Sequence, residues 1–367
     1  MKKIIFNLLM AGIALFSVNA LQAQVTNFGT GSGTGGGLST YVGYFSGNTA
    51  NARFNSFFGH FSGRSTTSGS NNSYFGYDSG RDDNTSYNNT FMGSQSGKSS
   101  KGNNNTFMGA YSGRINTGGY NATLGSGAGQ NNTGGTGNTL LGSGSGFYNA
   151  DGFGNVYVGN NAGFGSNGAP GGNYNVALGT ESGRVIKDGK YNVFLGYRSG
   201  YNNSSGAGNV FLGNDAGYSE TGSDKLYIDN STTTTPLIYG EFNINKVGIN
   251  TNQLPNSVGG ANTSAYSLYV KGGILTEEIR VRTGWADYVF DADYKLLPIQ
   301  EVENFIKENG HLPNVPSEKQ VEEEGIELGD IARIQQEKIE ELTLYIIKLQ
   351  KQVDALSEKL ENEINKK

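Results

Sequence analysis

Few residues in this chain have a type and spacing that could support chemistry. Gly31, Gly33 and Gly36 form a G-x-G-x-x-G motif, which can cradle phosphate when a strand precedes it and a helix follows it. Neither element is predicted around these glycines, so the segment is interpreted as a linker. The two histidines, His60 and His311, are far apart in sequence and make a poor start for a metal site.

The acidic residues and serines do not indicate catalysis either. Each sequence repeat described below carries a serine or alanine, but no histidine or lysine recurs nearby to activate a serine. Calcium-binding β-rolls need regular aspartates, whereas Asp78 and Asp215 each occur in a single copy. The run Glu322, Glu323 and Glu324 is interpreted as a solvated helix face. We therefore nominate no catalytic residue, no cofactor and no metal site, and expect a protein that is not an enzyme.

The composition is unusual for a globular protein. The 367 residues include 58 glycines, 21 tyrosines and 19 phenylalanines, and the net charge is −5. Many glycines with many aromatic residues indicate tight turns between short strands, since disordered chains are poor in aromatic residues. The charge gives no basic stripe for nucleic acid. Cysteine is absent, which excludes disulfides and thiolate zinc sites.

The N-terminus resembles a signal peptide. Lys2 and Lys3 precede an apolar stretch, Ile4–Phe16, that is too short to cross a bilayer comfortably, and a cleavage site is predicted after Ala23. No later segment approaches 18 consecutive apolar residues, so no transmembrane helix is expected in the mature chain. These features predict an exported protein that is extracellular or on the cell surface, with the periplasm left open.

One unit, Asn-x-(aromatic or aliphatic)-x-Gly-x-x-(Ser/Ala)-Gly, recurs eleven times between residues 39 and 217. It reads NSFFGHFSG from Asn55 and NVFLGNDAG from Asn209, and the first copy has Ser39 in place of the asparagine. The spacing is 16 or 17 residues, except for one spacing of 20 around Pro170. The glycines at the fifth position are Gly43, Gly59, Gly76, Gly93, Gly109, Gly125, Gly142, Gly159, Gly179, Gly196 and Gly213.

A near-constant period of this length predicts a repeat β-solenoid in which each unit is one coil. We expect two short strands and two turns per coil, with stacked asparagine side chains that hydrogen-bond from coil to coil. Alternation along N-V-F-L-G places Val193 and Leu195 toward the core and Phe194 outward. Coils ~4.8 Å apart would give a rod of roughly 50 Å.

The aromatic residues at the third position of the unit are therefore candidates for an external ladder. Such a ladder could bind a glycan or a surface partner. Alternatively, it could pack between chains of an oligomer or between the sides of one roll, which is the interpretation that we favour. Thr123 and Ala177 interrupt the ladder. The residues are Tyr41, Phe57, Tyr74, Phe91, Phe107, Tyr157, Phe194 and Phe211.

The repeats resemble the head repeats of trimeric autotransporter adhesins, with NVALGTESG at residues 175–183 as the nearest copy. The resemblance covers residues 39–217 and implies a left-handed parallel β-roll that assembles as a trimer. Those adhesins end in a membrane β-strand anchor, whereas this chain ends in a polar helix with Asn365, Lys366 and Lys367. If the protein is on a cell surface, we expect something else to hold it there.

The last third of the chain has a different character. Two strands are predicted, at residues 225–229 and 236–240, and residues 247–251 lead into a polar linker. Segments of this type resemble the neck of tail-fibre-like proteins and would cap the solenoid. Residues 284–350 are similar to a C-terminal module of long secreted or fibre-like proteins of Bacteroidetes, which implies a position at the end of a fibre. The Ser-Asp…Leu-Lys motif of self-cleaving fibre modules is absent.

Three helices are predicted at the C-terminus. Pro298 opens one that Gly310 ends, and Ser317 caps a short acidic one. The final helix carries a heptad pattern, which predicts a coiled coil and therefore an oligomer or a partner helix. β-branched residues at position a with leucine at position d favour a dimer, whereas the resemblance of the repeats favours a trimer, which we prefer. The seam residues are Ile339, Leu342, Ile346, Leu349, Val353, Leu356 and Leu360.

The predicted fold class is mainly β, with a β-solenoid shaft, a small α+β C-terminal domain and a terminal coiled-coil helix. The predicted segments are a signal peptide (1–23), a glycine-rich linker (24–38), the repeats (39–220), neck strands and linker (221–264), the α+β domain (265–330) and the coiled coil (331–367). The predicted function is a non-enzymatic structural fibre or adhesin-like protein that forms a homo-oligomer. The alternative is a carbohydrate-binding protein that uses the aromatic ladder.

Overall fold

The computed structural model describes residues 25–29, 32–33 and 38–366. The predicted signal peptide lies outside the described residues, as do Gly31 and Gly36 of the glycine motif. The chain divides into two compact units. The first, called the shaft here, ends at Leu254 and also includes Ser267–Gly272; the second consists of Pro255–Tyr266 and Gly273–Lys367.

Sixteen strands of the shaft form a single sheet in which β1 to β15 follow chain order and β18 lies beside β15. Consecutive strands from β1 to β13 are parallel, and one strand belongs to each coil, so the shaft is a parallel β-solenoid, as predicted. The strands are β1 Val25–Phe28, β2 Ser39–Val42, β3 Ser56–Phe58, β4 Ser73–Phe75, β5 Thr90–Met92, β6 Thr106–Met108, β7 Ala122–Leu124, β8 Thr139–Leu141, β9 Val156–Val158, β10 Val176–Leu178, β11 Val193–Leu195, β12 Val210–Leu212, β13 Lys225–Ile228, β14 Ile238–Glu241, β15 Lys246–Ile249 and β18 Leu268–Val270.

Each coil contains one strand, so the prediction of two strands per coil is wrong. After the fifth-position glycine the backbone repeatedly turns into the left-handed region, as at Asp78 (φ 55°) and Gly80 (φ 57°). These reversals leave no extended run long enough for a second strand. The solenoid also begins earlier than predicted, because β1 lies within the segment assigned to the linker and pairs with β2.

The two sides of each strand are the reverse of those predicted. In β11, Phe194 is buried, whereas Val193 and Leu195 are exposed. The reason is that the first-position asparagine, here Asn192, is buried to hydrogen-bond inside the coil. Because side chains alternate along a strand, the residue two positions later must point to the same side. The third position therefore forms the core, and the second and fourth positions face outward.

The first-position asparagines form a continuous amide ladder, as predicted. The backbone N–H of Asn72 donates to Oδ1 of Asn55 at 2.9 Å, and this bond recurs at every coil up to Lys225, whose N–H donates to Asn209. Each amide also donates through Nδ2 to a carbonyl near the end of its own coil, as Asn55 does to Gly69 at 2.7 Å. In the first copy, Ser39 Oγ accepts the N–H of Asn55 instead.

The fifth-position glycine is required by close contact between coils. Gly93 has φ 135°, and a Cβ there would lie 2.5 Å from the carbonyl oxygen of Gly109 in the next coil. The second glycine of the unit lies against the core. A Cβ on Gly97 would lie 2.4 Å from the ring of Phe91.

Coil length varies in one place only. The stretch from the fifth-position glycine to the buried residue seven positions later is constant, as from Gly76 to Asp83 and from Gly93 to Ser100. The next asparagine follows five or six positions later, and nine positions later in the coil that contains Pro170, where three or four residues are added. The extra residues therefore lie in the turn that precedes each asparagine.

The strands alternate in direction at the end of the shaft. β13 still pairs in parallel with β12, but β14 and β15 are antiparallel to their predecessors, and β18 returns in parallel beside β15. Tyr227 and Tyr239 continue the buried row across β13 and β14. The predicted neck strands thus belong to the same sheet as the repeats.

The second unit is mainly helical. Its helices are α1 Ile299–Asn309, α2 Glu318–Glu324 and α3 Leu328–Ile364; a two-stranded sheet joins β16 Ser257–Val258 to β17 Ala261–Asn262. The caps agree with prediction: Gly310 ends α1 in the left-handed conformation, and Ser317 forms a capping box with Gln320. Ala286 and Val289 are buried, and Tyr288 donates to Glu337 of α3.

Candidate functional site

The predicted aromatic ladder exists, but it lies inside the shaft. Its rings stack from coil to coil, with centroids 4.7 Å apart between Tyr74 and Phe91 and interplanar angles of 4° to 6° in this region. Burial contradicts a ligand strip or an inter-chain contact and agrees with the remaining alternative, packing within one roll: these residues form the core of a single coil stack. Their exposed fraction is 1 % or less for Tyr41, Phe57, Tyr74, Phe91, Phe107, Tyr157, Phe194 and Phe211.

The two interruptions of the ladder are filled from within the chain. Beside Ala177 the space is taken by Ile186, a residue of the same coil that is 2 % exposed. Thr123 shares a hydrogen bond with Ser112 of the preceding coil. Ile186 therefore fills the space beside Ala177, and the hydroxyl of Thr123 is satisfied inside the shaft.

The outward side of the strands carries a stripe, called the outer stripe here, whose fourth-position row is apolar and whose second-position row consists of serine, threonine, alanine and valine. It consists of the second- and fourth-position residues of the eleven repeats, which stand in register from strand to strand, as Leu178 does with Leu195 and Leu195 with Leu212. The exposed fraction reaches 46 % at Leu195 and 50 % at Leu124. The fourth-position residues are Val42, Phe58, Phe75, Met92, Met108, Leu124, Leu141, Val158, Leu178, Leu195 and Leu212.

The two positions of the outer stripe match small with large residues in its second and third repeats. Both serines at the second position, Ser56 and Ser73, stand beside a phenylalanine at the fourth position. The four valines at the second position accompany leucine or valine instead. The four threonines accompany methionine twice, valine once and leucine once, and Ala122 accompanies leucine, so a clear match of small with large is limited to the two serine–phenylalanine pairs. The second-position residues are Thr40, Ser56, Ser73, Thr90, Thr106, Ala122, Thr139, Val156, Val176, Val193 and Val210.

The outer stripe is what the sequence interpretation missed, although a signal for it was present. If the asparagines make a ladder inside the coil, the third position must share their side and the second and fourth must face out. Alternation along the strand without this constraint from the asparagines assigned the two sides in reverse.

The final helix presents a second exposed apolar seam. All seven predicted heptad residues lie on α3, and each has an exposed fraction of 47 % to 65 % in the single chain. Ile347, outside the a and d positions, is also 46 % exposed. The residues are Ile339, Leu342, Ile346, Leu349, Val353, Leu356 and Leu360.

The repeat serines are held in structural hydrogen bonds. Ser46 Oγ donates to the carbonyl of Phe57 at 3.1 Å, and Ser199 Oγ donates to that of Phe211 at 3.0 Å, so each bond joins a coil to the next. Both serines are fully buried. This arrangement does not present a hydroxyl to a substrate.

A buried carboxyl group lies in the interior of the shaft. Tyr74 donates its hydroxyl to Asp83, whose other carboxyl oxygen accepts the backbone N–H of Ser86 at 3.1 Å. Burial raises the pKa of the Asp83 carboxyl above its usual range and also raises the pKa of Tyr74. Later coils carry Asn116, Asn132 and similar amides at the same repeat position, so this residue fills a structural place.

Aromatic and arginine side chains stack on the outside of the turns that follow the strands. His60 lies between Tyr44 and Tyr77, with ring centroids 5.0 and 5.5 Å apart. Arg184 lies between Phe164 and Tyr201, with its guanidinium 5.4 and 5.5 Å from the ring centroids. The side chains stack on one another along the coil direction, so these contacts join neighbouring coils.

Neither a metal cluster nor a membrane span is found in the described part of the chain. Within residues 25–29, 32–33 and 38–366, no three His, Asp or Glu side chains are grouped so as to hold a metal ion. Among the same residues, no helix combines the length and apolar character needed to cross a bilayer. Comparisons with protein-family models, with curated proteins and with solved structures each returned no match to this chain.

Proposed function

We propose that this protein is a non-enzymatic structural fibre protein, adhesin-like in architecture, whose copies associate side by side through the outer stripe and through α3. The β-solenoid is the shaft of the fibre, and the second unit is its C-terminal association module. Three copies are favoured over two because of the resemblance of the repeats to trimeric adhesin heads.

The outer stripe carries this proposal. A stripe ~50 Å long and about 10 Å wide presents roughly 500 Å² of surface, which is within the size range of functional apolar patches on soluble proteins. A stable interface buries about 800 Å² per partner. The stripe alone falls short of that area, so we assign the remainder to the seam of α3.

The two serine–phenylalanine pairs of the stripe, together with the register of its fourth-position residues, support a packed interface rather than incidental exposure. On a freely solvated surface the sizes of the second- and fourth-position residues have no reason to depend on each other. In a packed layer their combined volume is constrained, because protein interiors do not tolerate voids or overlap. Serine beside phenylalanine and valine beside leucine are therefore expected if each coil contributes one layer to a contact between copies.

Export is part of the proposal and is supported by the N-terminal sequence. The charged Lys2 and Lys3, followed by the apolar residues 4–16, are typical of a secretory signal. N-terminal sequencing of the protein recovered outside the cytoplasm tests this, and a retained Met1 would contradict it.

Carbohydrate binding by the predicted ladder has lost its basis, because the eight ring side chains are buried. The absence of enzymatic activity remains a proposal, supported by the structural role of the repeat serines and of Asp83.

The test of the proposed function is the mass of residues 24–367 in solution, measured by light scattering after size exclusion. We expect three copies, whereas a monomer at micromolar concentration would overturn the proposal. The double variant Leu178→Asp, Leu195→Asp should raise the dissociation constant by about tenfold or more, since burying unpaired charge in a packed contact costs more than 1.4 kcal/mol. The matched control is Leu237→Asp, on a residue 60 % exposed and outside the stripe, which should leave the mass unchanged.

A further inference from the structure

Helix α1 has an apolar face that its own chain leaves uncovered. Ile299, Val302 and Ile306 recur at helical spacing on one face, yet no residue of α1 is buried. Ile299 is 64 % exposed and Ile306 is 41 % exposed. A short amphipathic helix without a covered face gains little stability from packing, so this face requires a partner.

The uncovered face borders a groove along α3. One cavity of about 380 Å³ is lined by Val302, Ile306 and Leu312 together with Ile339 and Leu342 of α3. A second, of about 360 Å³, continues from it past Ile299 to Ile346 and Leu349. Both include Ile299, Leu342 and Tyr345, so they form one groove. The hydroxyl of Tyr345 donates to the carbonyl of Leu297 at 2.6 Å and holds the chain that leads into α1 against α3.

The heptad positions show which flank of α3 the helix α1 occupies. Apart from seam residues, the α3 residues that line the groove are at position g (Lys338, Tyr345, Gln352) and at position c (Glu341, Lys348). No residue at position e or b lines it. α1 therefore lies on the g and c flank of its own α3.

In a parallel coiled coil, the g flank of one helix faces the e flank of the neighbouring helix. A helix lying on the g and c flank must then meet the e and b flank of the next copy. Ile347 is at position b at the level of the groove. It is apolar, lies outside the heptad seam and is 46 % exposed. Its position matches the uncovered face of α1.

We infer that the groove between α1 and α3 is occupied by α3 of a neighbouring copy of this chain, with Ile347 of that copy against Ile299 and Val302. The inference rests on the self-association stated under the proposed function. The partner is a second copy because the exposed seam continues past the groove to Leu360, where a partner helix must keep the same heptad register. Lysine, glutamate and glutamine side chains border the groove, giving it the apolar centre and polar rim of a protein interface.

Disulfide trapping tests the contact, because the chain contains no cysteine. Two full-length chains with tags of different mass, one carrying Ile299→Cys and the other Ile347→Cys, are co-expressed and oxidised. We expect a covalent heterodimer containing both tags. Since α1 and Ile347 lie on opposite flanks of α3, the bond cannot form within one chain. The matched control replaces Ile347→Cys by Lys351→Cys, which is at the outward f position and should give at most about one tenth of the heterodimer.

The outcomes separate the two proposals. An associated protein in which both cysteine pairs trap equally, or neither traps, overturns the placement of α1 and leaves the fibre proposal standing. A protein that is monomeric by light scattering overturns both. Circular dichroism of each single-cysteine chain, together with its mass, shows whether the helices and the association are retained. The variant Val302→Asp gives a second measurement, for which we expect weakened association with the shaft still folded.

Discussion

The backbone N–H of Asn155 donates to Oδ1 of Asn138, one coil earlier in the chain, at 2.9 Å. The same Asn138 donates through Nδ2 to the carbonyl of Gly152 at 2.8 Å, near the end of its own coil. One buried side chain therefore closes its own coil and joins it to the next.

Replacement of Asn138 by alanine should destabilise the shaft by about 2–6 kcal/mol, because two buried backbone groups lose their partners at about 1–3 kcal/mol each. The measurement is the free energy of unfolding from urea denaturation followed by circular dichroism. Asn167→Ala, on an exposed residue of the inserted turn, is the matched control and should change it by less than about 0.5 kcal/mol. Equal effects of the two changes would contradict the ladder as a source of stability.

The buried ring stack should be equally sensitive. Phe91 has stacked neighbours on both sides, at 4.7 and 4.9 Å between ring centroids. We expect Phe91→Ala to cost about 3–5 kcal/mol through lost burial and the cavity left behind. Tyr120, which is 74 % exposed, supplies the control Tyr120→Ala. A small effect at Phe91 would mean that this position faces solvent, as the sequence pattern first suggested.

The second glycine of the repeat allows steric conflict to be separated from backbone strain. Gly97 and Gly137 both have positive φ, of 55° and 66°, but only at Gly97 would a Cβ meet a neighbour, the ring of Phe91 at 2.4 Å. Gly137→Ala should cost about 1–2 kcal/mol for the left-handed conformation alone. Gly97→Ala should lower the free energy of unfolding, measured in the same urea titration, by clearly more than Gly137→Ala. Equal decreases for the two variants would indicate that the ring of Phe91 moves aside freely.

Asp83 should make stability depend on pH. Its pKa is raised in the folded state by burial, so the folded shaft binds the proton more tightly than the unfolded chain does. This contribution is fully present below the ordinary aspartate pKa, about 3.9, and is lost as pH rises through the higher folded-state pKa. Asp83→Asn, which places here the residue type found in later coils, should remove this dependence. The free energies of unfolding of the two proteins, compared from pH 4 to pH 8, should diverge as pH rises; a constant difference would count against the assignment.

The α3 seam can be tested independently of the shaft. Leu349→Asp places a charge at a d position and should reduce the mass in solution, because a coiled coil buries this position. Lys351→Asp, at the outward f position two residues away, is the matched control and should leave the mass unchanged. A protein that keeps its full mass in the Leu349→Asp variant would show that the seam does not contribute to association.

The sequence predicts the period of the solenoid, but it does not determine which side of each strand is buried. Eleven matching units predict a coil each, and the N-x-Φ-x-G core of the unit coincides with the observed strand in every copy. The side that each strand buries depends on where the asparagine amide finds its partners. Those partners are backbone groups of other turns, such as Gly69 for Asn55, which a strand pattern alone does not reveal.

The sequence pattern of the repeat also did not determine the number of strands in each coil. The second half of each unit is made of residues such as Asp78 and Arg198 in the left-handed conformation. Nothing in the identity of an aspartate or arginine requires a positive φ, so tertiary context decides it. The helix boundaries at Pro298, Gly310 and Ser317 were predictable because local chemistry determines a helix end.

Differences in coil length are confined to the turn that precedes each asparagine, and this affects how the repeat sequence can evolve. Duplication or loss of a whole unit gives the asparagine amides and the buried rings the same kind of partners at the new junction. The solenoid can therefore become longer or shorter by one coil without other changes in its sequence. An insertion of a few residues, as in the turn that contains Pro170, enlarges a surface turn and leaves the pairing of the flanking strands intact. The number of coils can therefore change independently of the cross-section of the solenoid. Related chains with different numbers of coils should keep the same cross-section.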